Sequence, residues 1–151
     1  MALIVPETFY SPEPRTYDGK QLRSHFIYET FDIAGDAIVA FSGPVDVRGD
    51  SLVDLADKKG GLLIAGRSML HFIAESFGAD LDRAVFMQRL LVMLAVDHLR
   101  IRQCSGLRRS GDDVYVGDGK LSVSIATVSG VSSLVHFGVN ITHEGTPVKT
   151  A

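Results

Sequence analysis

The segment Leu81 to Leu99 constrains this chain most. Asp80 precedes it as an N-cap, and Asp82, Arg89 and Arg100 fall near one line of a helical wheel, with Asp97 close by. Val85, Leu90, Leu91, Leu94 and Val96 leave most of the remaining surface apolar. The pattern predicts a long helix that is largely buried, packed against a sheet.

The sequence on either side reads as strands. Phe26 to Phe41 is an aromatic and β-branched run interrupted by Ala34-Gly35-Asp36, the signature of a hairpin. Asp46 to Lys59 is expected to be a short helix or helical loop, with Ser51 and Asp54 imitating a capping box. Gly60-Gly61 ends it, and Leu62 to Ala65 and Met69 to Glu75 read as two strands separated by Gly66-Arg67-Ser68. Beyond the helix, Val114 to Val116, the turn Gly117-Asp-Gly119 and Lys120 to Val128 form a second hairpin, and Leu134 to Ile141 a last strand. The expected class is α+β: a mixed, largely antiparallel sheet with one long packed helix.

A chain of 151 residues is of one-domain size. The expected domain is 1–151, with 1–16 extended or irregular because Pro6, Pro12 and Pro14 disfavour a helix there, so the fold should begin near Tyr17. Apolar residues make up 46%, too many for a disordered tail. A net charge of −3 argues against non-specific nucleic-acid binding. The apolar run Leu90 to Val96 is far short of the roughly 20 residues that span a bilayer, so no membrane partner is expected. The single Cys104 cannot form an internal disulfide, and no basic-then-apolar leader precedes Pro6; both point to the cytoplasm.

Strand alternation sorts candidate site residues into faces. Ser122, Ser124 and Ala126 share a face of small side chains; His136, Gly138 and Asn140 share another, opposite Val135, Phe137, Val139 and Ile141. Together the small residues, the histidine and the amide suggest a ligand floor, with Lys120 at its rim and Asp112-Asp113 just upstream. Read blandly, Lys120 is a solvated strand end and the two acids are turn residues.

The runs Arg109-Ser-Gly-Asp-Asp113-Val-Tyr-Val, Lys120-Leu-Ser-Val-Ser124 and Val135-His-Phe-Gly-Val-Asn140-Ile resemble the core of biotin and lipoate protein ligases. Gly35 to Ala40 resembles their early strand. The whole chain most closely resembles an uncharacterised prokaryotic domain-of-unknown-function family of that fold, through Gly43 to Val47, Met69 to Glu75, Gln88 to Leu91, Gly111 to Asp113 and Lys120 to Thr127. The resemblance implies a biotin/lipoate protein ligase-like fold that binds a small carboxylic acid or a nucleotide and activates the acid with ATP. Lys120 would be the catalytic cation, reaching the carboxylate and the α-phosphate and offsetting developing charge. Asp113 would order the site or hold Mg²⁺, and Asp112 stands where the ligases have asparagine. Ser122, Ser124, His136, Gly138, Asn140 and His71 would line the ligand. The Gly-Arg-Gly-Arg loop of biotin ligases and the Arg-Arg and triple-glycine loop of lipoate ligases are both missing; Val47 to Gly61 occupies that place. Two readings compete with the ligase: a non-catalytic small-molecule or nucleotide-binding module, and an interaction protein that forms a homodimer through an edge strand.

Other signals are weaker. His71 and Glu75, four apart, share a face, and His71 could ligate a metal or act as a base, against a bland role as a hydrogen-bonded histidine at a sheet edge. Gly61 to Ser68 has P-loop spacing with Arg67 for lysine, but Leu62 to Ala65 reads as a strand. Asp46, Asp50, Asp54 and Asp57 read as a solvated helix face rather than a cation site, so no metal ligand set is assigned. Cys104 reads as an ordinary buried thiol.

Overall fold

A computed structural model describes residues 5–48, 51, 59, 64–142, 144, 146 and 149–151. Strands β1 (Glu7–Ser11), β2 (Ala37–Val47), β3 (Ile64–Phe77), β7 (Ser122–Ser129) and β8 (Ser132–Asn140) form a five-stranded sheet in the order β1-β2-β3-β8-β7. The β1–β2 pair is parallel and the others are antiparallel. A three-stranded sheet joins β4 (Leu107–Ser110), β5 (Asp113–Val116) and β6 (Gly119–Lys120). Helix α1 is Phe26–Phe31 and helix α2 is Leu81–Ile101.

The α+β class and the mostly antiparallel sheet are as expected. The Asp80 carboxylate accepts the Arg83 N–H at 3.0 Å and so caps α2. Asp82 in the first turn and His98 and Arg100 in the last complement the helix dipole. The helix stops where Gln103 takes a left-handed φ of 63°.

α2 packs on β7 and β8, but it is not largely buried. Ala84, Gln88, Val92 and Val96 face the sheet, whereas Phe86, Leu90, Met93 and Leu94 are exposed. Small side chains let helix and sheet approach closely, and that leaves the bulky residues on the outer side.

Three further expectations change. Phe26 to Phe31 is a helix, not a strand: one turn set between the left-handed residues His25 and Asp32, with Ile27 as its buried anchor. Tertiary burial overrides the β-prone composition there. Gly66-Arg67-Ser68 does not interrupt β3: between the pairs Gly43–Met69 and Val45–Gly66, Arg67 and Ser68 stand opposite Pro44 alone, so β3 carries the extra residue as a bulge and pairs on. The sheet begins before Tyr17, since Glu7–Ser11 pairs with Ala37–Phe41 and the Tyr17 N–H then bonds the Pro44 carbonyl at 2.9 Å. Asp46 lies in β2; Asp50, Asp54, Asp57 and the glycines 60–61 are outside the described residues.

The five-stranded sheet is covered on both faces. The inner face, under residues 15–33, buries Tyr17, Ile27, Val39, Phe41, Met69 and Ile73. The helix face buries Val92, Val96, Val114 and Phe137 under α2. Each fully buried side chain of this size contributes about 1.5–3 kcal/mol.

Candidate functional site

The expected hairpin strand Lys120 to Val128 divides at Leu121. Lys120 pairs with Tyr115 in the small sheet, and Ser122 pairs with Val139 in the large one. At the crossing the Leu121 N–H bonds Val114 at 2.7 Å, and the Leu121 carbonyl accepts from Asn140 at 2.8 Å. Ser122 is buried, and its Oγ accepts the Val114 N–H at 3.0 Å, satisfying a donor that the change of sheet would orphan.

Lys120 is held at this junction. Its carbonyl accepts from Asn140 Nδ2 at 3.1 Å and its N–H bonds the Lys149 carbonyl at 3.1 Å. Its ammonium lies 2.9 Å from Asp113 Oδ1, with both side chains about one-third exposed (32% and 29%). Tyr115 Oη donates to the other Asp113 oxygen at 3.4 Å. Lys120, Asp113 and Asn140 are therefore brought together.

Asp112 faces elsewhere. Gln88 Nε2 donates to Asp112 Oδ2 at 3.0 Å and to Ser124 Oγ at 2.9 Å, while Ser124 donates to Asp112 Oδ2 at 3.0 Å. Arg89 approaches the same carboxylate at 3.6 Å. This network ties α2 to β7 and to the start of β5.

The floor expected from alternation is divided between two faces. The register sets Ser122 opposite Val139 and Ser124 opposite Phe137, on the helix face. His136 opposes Ile125 and Gly138 opposes Val123, on the inner face. Alternation orders residues within a strand, but only the register between strands decides which sets meet.

On the inner face His136 and His71 are paired. His71 Nδ1 lies 3.1 Å from His136 Nε2, and His71 Nε2 lies 3.1 Å from the Gly43 carbonyl. A carbonyl only accepts, so His71 Nε2 carries its proton, Nδ1 offers a lone pair, and His136 Nε2 donates to it. Burial lowers the His71 pKa to about 4 and, together with the nearby His71, holds that of His136 well below the usual value. Both rings are neutral. Tyr17 stacks on His136 with centroids 3.6 Å apart, and burial, followed by the charge of Asp18, pushes its hydroxyl pKa up. Gly138 lies beside them: an added Cβ would stand 2.9 Å from Met69 Cε and 3.3 Å from His136 Cε1.

His71 sits in the central strand, not at an edge, and its partner is His136 rather than Glu75. The buried Glu75 Oε1 instead accepts from His25 N–H at 2.7 Å and Ser132 Oγ at 2.6 Å. The sequence pattern singles out neither Tyr17 nor Gln88 as a site residue. Gln88 had a signal, as the polar member of the series Ala84, Gln88, Val92, Val96; Tyr17 had none, because its contacts are made across distant segments.

Asp112 and Asp113 do not form a shared Mg²⁺ pair. Among the described residues no group of three His, Cys, Asp or Glu could hold a metal ion. Asp112 and Asp113 are turned to different partners, and Asp113 has an ammonium against it. No described helix is long and apolar enough to cross a membrane.

The architecture is that of the biotin and lipoate protein ligases. A Thermoplasma acidophilum structure with bound lipoic acid is similar over 97% of this chain and 75% of its own, at a TM-score of 0.58 and 18% identity. The Aquifex aeolicus biotin protein ligase in complex with biotin and ATP matches over 93% of this chain and 55% of its own, at a TM-score of 0.54 and 14% identity. These likenesses establish the fold alone.

The chain belongs to the family described as "Domain of unknown function (DUF366)", which matches residues 7–151. A protein of unknown function from Pyrococcus horikoshi has a TM-score of 0.92 and 37% identity, over 97% of this chain and 79% of that one. An uncharacterized protein of Methanocaldococcus jannaschii is 36% identical over 134 residues, 85% of this chain, and the match spans 60% of that protein's length.

Proposed function

We propose that this chain binds a small carboxylic acid at Lys120 and, with ATP, activates it by adenylation. The observation that supports this reading is the Lys120 ammonium itself, half-buried and held 2.9 Å from Asp113 at the junction of the two sheets. The fold adds support, because structures that share it hold lipoic acid, or biotin and ATP. Asp113 models the interaction that an incoming carboxylate would make.

In the proposed step a carboxylate oxygen of the acid attacks the α-phosphorus of ATP. A phosphoanhydride bond breaks, pyrophosphate leaves, and an acyl-adenylate forms. Lys120 exchanges Asp113 for the reacting groups and offsets the negative charge that gathers between them. Asn140 positions the lysine through its backbone. Asp112, Ser122, Ser124, His71, His136 and Gly138 hold the fold rather than the ligand in this proposal, because each is engaged within the protein.

One observation favours a second reading, a non-catalytic small-molecule or nucleotide-binding module. The Lys120 ammonium already has the Asp113 carboxylate against it at 2.9 Å, so a ligand could bind beside the pair without Lys120 taking part in chemistry. Pyrophosphate exchange with ATP across a panel of carboxylic acids separates the two. Exchange that disappears in Lys120→Ala supports adenylation. Ligand-induced thermal stabilisation without exchange supports the binding module, and neither response in the intact chain removes both.

A further inference from the structure

The outer side of α2 carries an apolar stripe: Phe86 is 73% exposed, Leu90 57% and Leu94 58%. Arg83 lies three residues before Phe86 and Asp97 three residues after Leu94, so the five fall on one face at helical spacing. The arrangement is symmetric in position and opposite in charge about Leu90. Phe86 and Leu94 are four residues to either side, and Arg83 and Asp97 seven.

We propose that this face is a homodimer interface in which α2 packs antiparallel against α2 of a second copy, about a two-fold axis at Leu90. That operation brings Leu90 onto its counterpart, Phe86 onto Leu94 of the second copy, and Arg83 onto Asp97 of the second copy, each of the last two occurring twice. A two-fold interface must be self-complementary, and a stripe with one cation and one anion at equal distances from its centre meets that condition. A parallel pairing would set like charges together. A lipid or an uncharged apolar peptide would make no use of them.

The end charges are free to serve. Arg83 is exposed and donates one Nη to the Phe77 carbonyl at 3.0 Å, and among the described residues no carboxylate pairs with it. Among the described residues Asp97 has one ion-pair partner, Arg100, one turn along the same helix at 3.4 Å, and it is 64% exposed. Beside the stripe, a groove of about 390 Å³ between α2 and strands β2 and β3, lined by Ile38, Ala74, Met87 and Leu91, gives room for the second copy's Phe86. The apolar residues supply the affinity of such a contact, and the charges fix its direction.

Sedimentation of the whole chain over a concentration series, at low and at moderate salt, tests this. The expected result is a monomer–dimer equilibrium whose dissociation constant rises about 30-fold or more in Leu90→Glu, a substitution at an exposed position that leaves the melting transition in place. Arg83→Asp and Asp97→Arg alone should each weaken the dimer about tenfold, and the double swap should restore it to within a few-fold of the original. A monomer at every concentration, a dimer unaffected by Leu90→Glu, or a double swap no stronger than either single change would overturn the proposal.

Discussion

His71 and His136 share a hydrogen bond of 3.1 Å between adjacent strands, with both rings buried and neutral. Protonating His71 at Nδ1 would turn that bond into two facing donors. This makes the inner face of the sheet a pH-sensitive part of the core. In the unfolded chain each histidine takes a proton near pH 6.5, whereas burial holds His71 down to about 4 and lowers His136 as well. The unfolded state then binds more protons than the native state as pH falls below about 6.5, so stability drops in that direction.

Urea unfolding should therefore show full stability above about pH 7 and a progressive loss between about 6.5 and 4. The slope is on the order of 1.4 kcal/mol per pH unit for each histidine in that window. His136→Phe, which keeps an aromatic ring under Tyr17, should reduce the slope while lowering stability at neutral pH, because His71 Nδ1 loses its donor. A flat profile across the window would mean that the pair is not neutral as described.

Lys120 and Asp113 make a different kind of pair, short but partly solvated. Removing the carboxylate should cost little stability, about 0–1 kcal/mol, because one-third exposure screens the attraction. If the ammonium is the acid-binding group, Asp113→Asn frees it, and affinity for a carboxylic acid such as lipoate should rise several-fold by calorimetry. The gain should vanish in Asp113→Asn/Lys120→Ala. Weaker binding in Asp113→Asn would instead assign Asp113 a direct part in holding the ligand.

What was legible beforehand follows from how local each signal is. Asp80 and the helix it caps can be read because the cap carboxylate and the Arg83 N–H that donates to it lie within one turn. The side of α2 that meets the sheet could not, because hydrophobicity marks Leu90 and Leu94 as core while close packing selects Ala84, Gln88 and Val92. Lys120 and Asp113 could be singled out through resemblance, and they do lie together. Joining Ser122 and Ser124 to His136 and Gly138 failed for a physical reason: the relative register of β7 and β8 is a long-range property, absent from either strand alone. The composition of Phe26–Phe31 suits a strand, and the left-handed residues His25 and Asp32 that bracket it as a helical turn leave no mark in the local pattern.

Gln88 is the residue on which the α2 side of the site depends. It donates to both Asp112 and Ser124, so Gln88→Ala leaves two acceptors short of a donor and opens a small cavity. The expected loss is about 2–4 kcal/mol, with hydrogen exchange accelerating first at the start of β5 and in β7. Gln88→Glu should be worse than Gln88→Met, since it sets a second carboxylate against Asp112 whereas methionine only removes the bonds. If both variants unfold at the same denaturant concentration, the network contributes nothing beyond its volume.

Gly43 links the N-terminal segment to the histidine pair, and its replacement should be the most damaging single-methyl change on the inner face. Its φ is 155°, and an added Cβ would stand 2.0 Å from the Arg15 carbonyl oxygen and 2.7 Å from the carbon, both backbone atoms that cannot rotate away. The Arg15 N–H bonds Ser42 at 2.9 Å and the Tyr17 N–H bonds Pro44 at 2.9 Å, so relief would require the whole 15–17 segment to lift from β2. That movement would take Tyr17 off His136, and it would shift the Gly43 carbonyl that accepts from His71. Gly43→Ala should therefore cost more than about 3 kcal/mol at neutral pH, and by admitting water to the two rings it should flatten the fall of stability between about pH 6.5 and 4. Histidine NMR titration can detect the second effect separately: in any folded population of the variant, the His71 and His136 pKa values should move back towards 6.5. Unchanged titration in a folded Gly43→Ala protein would show that the N-terminal segment does not seal the pair.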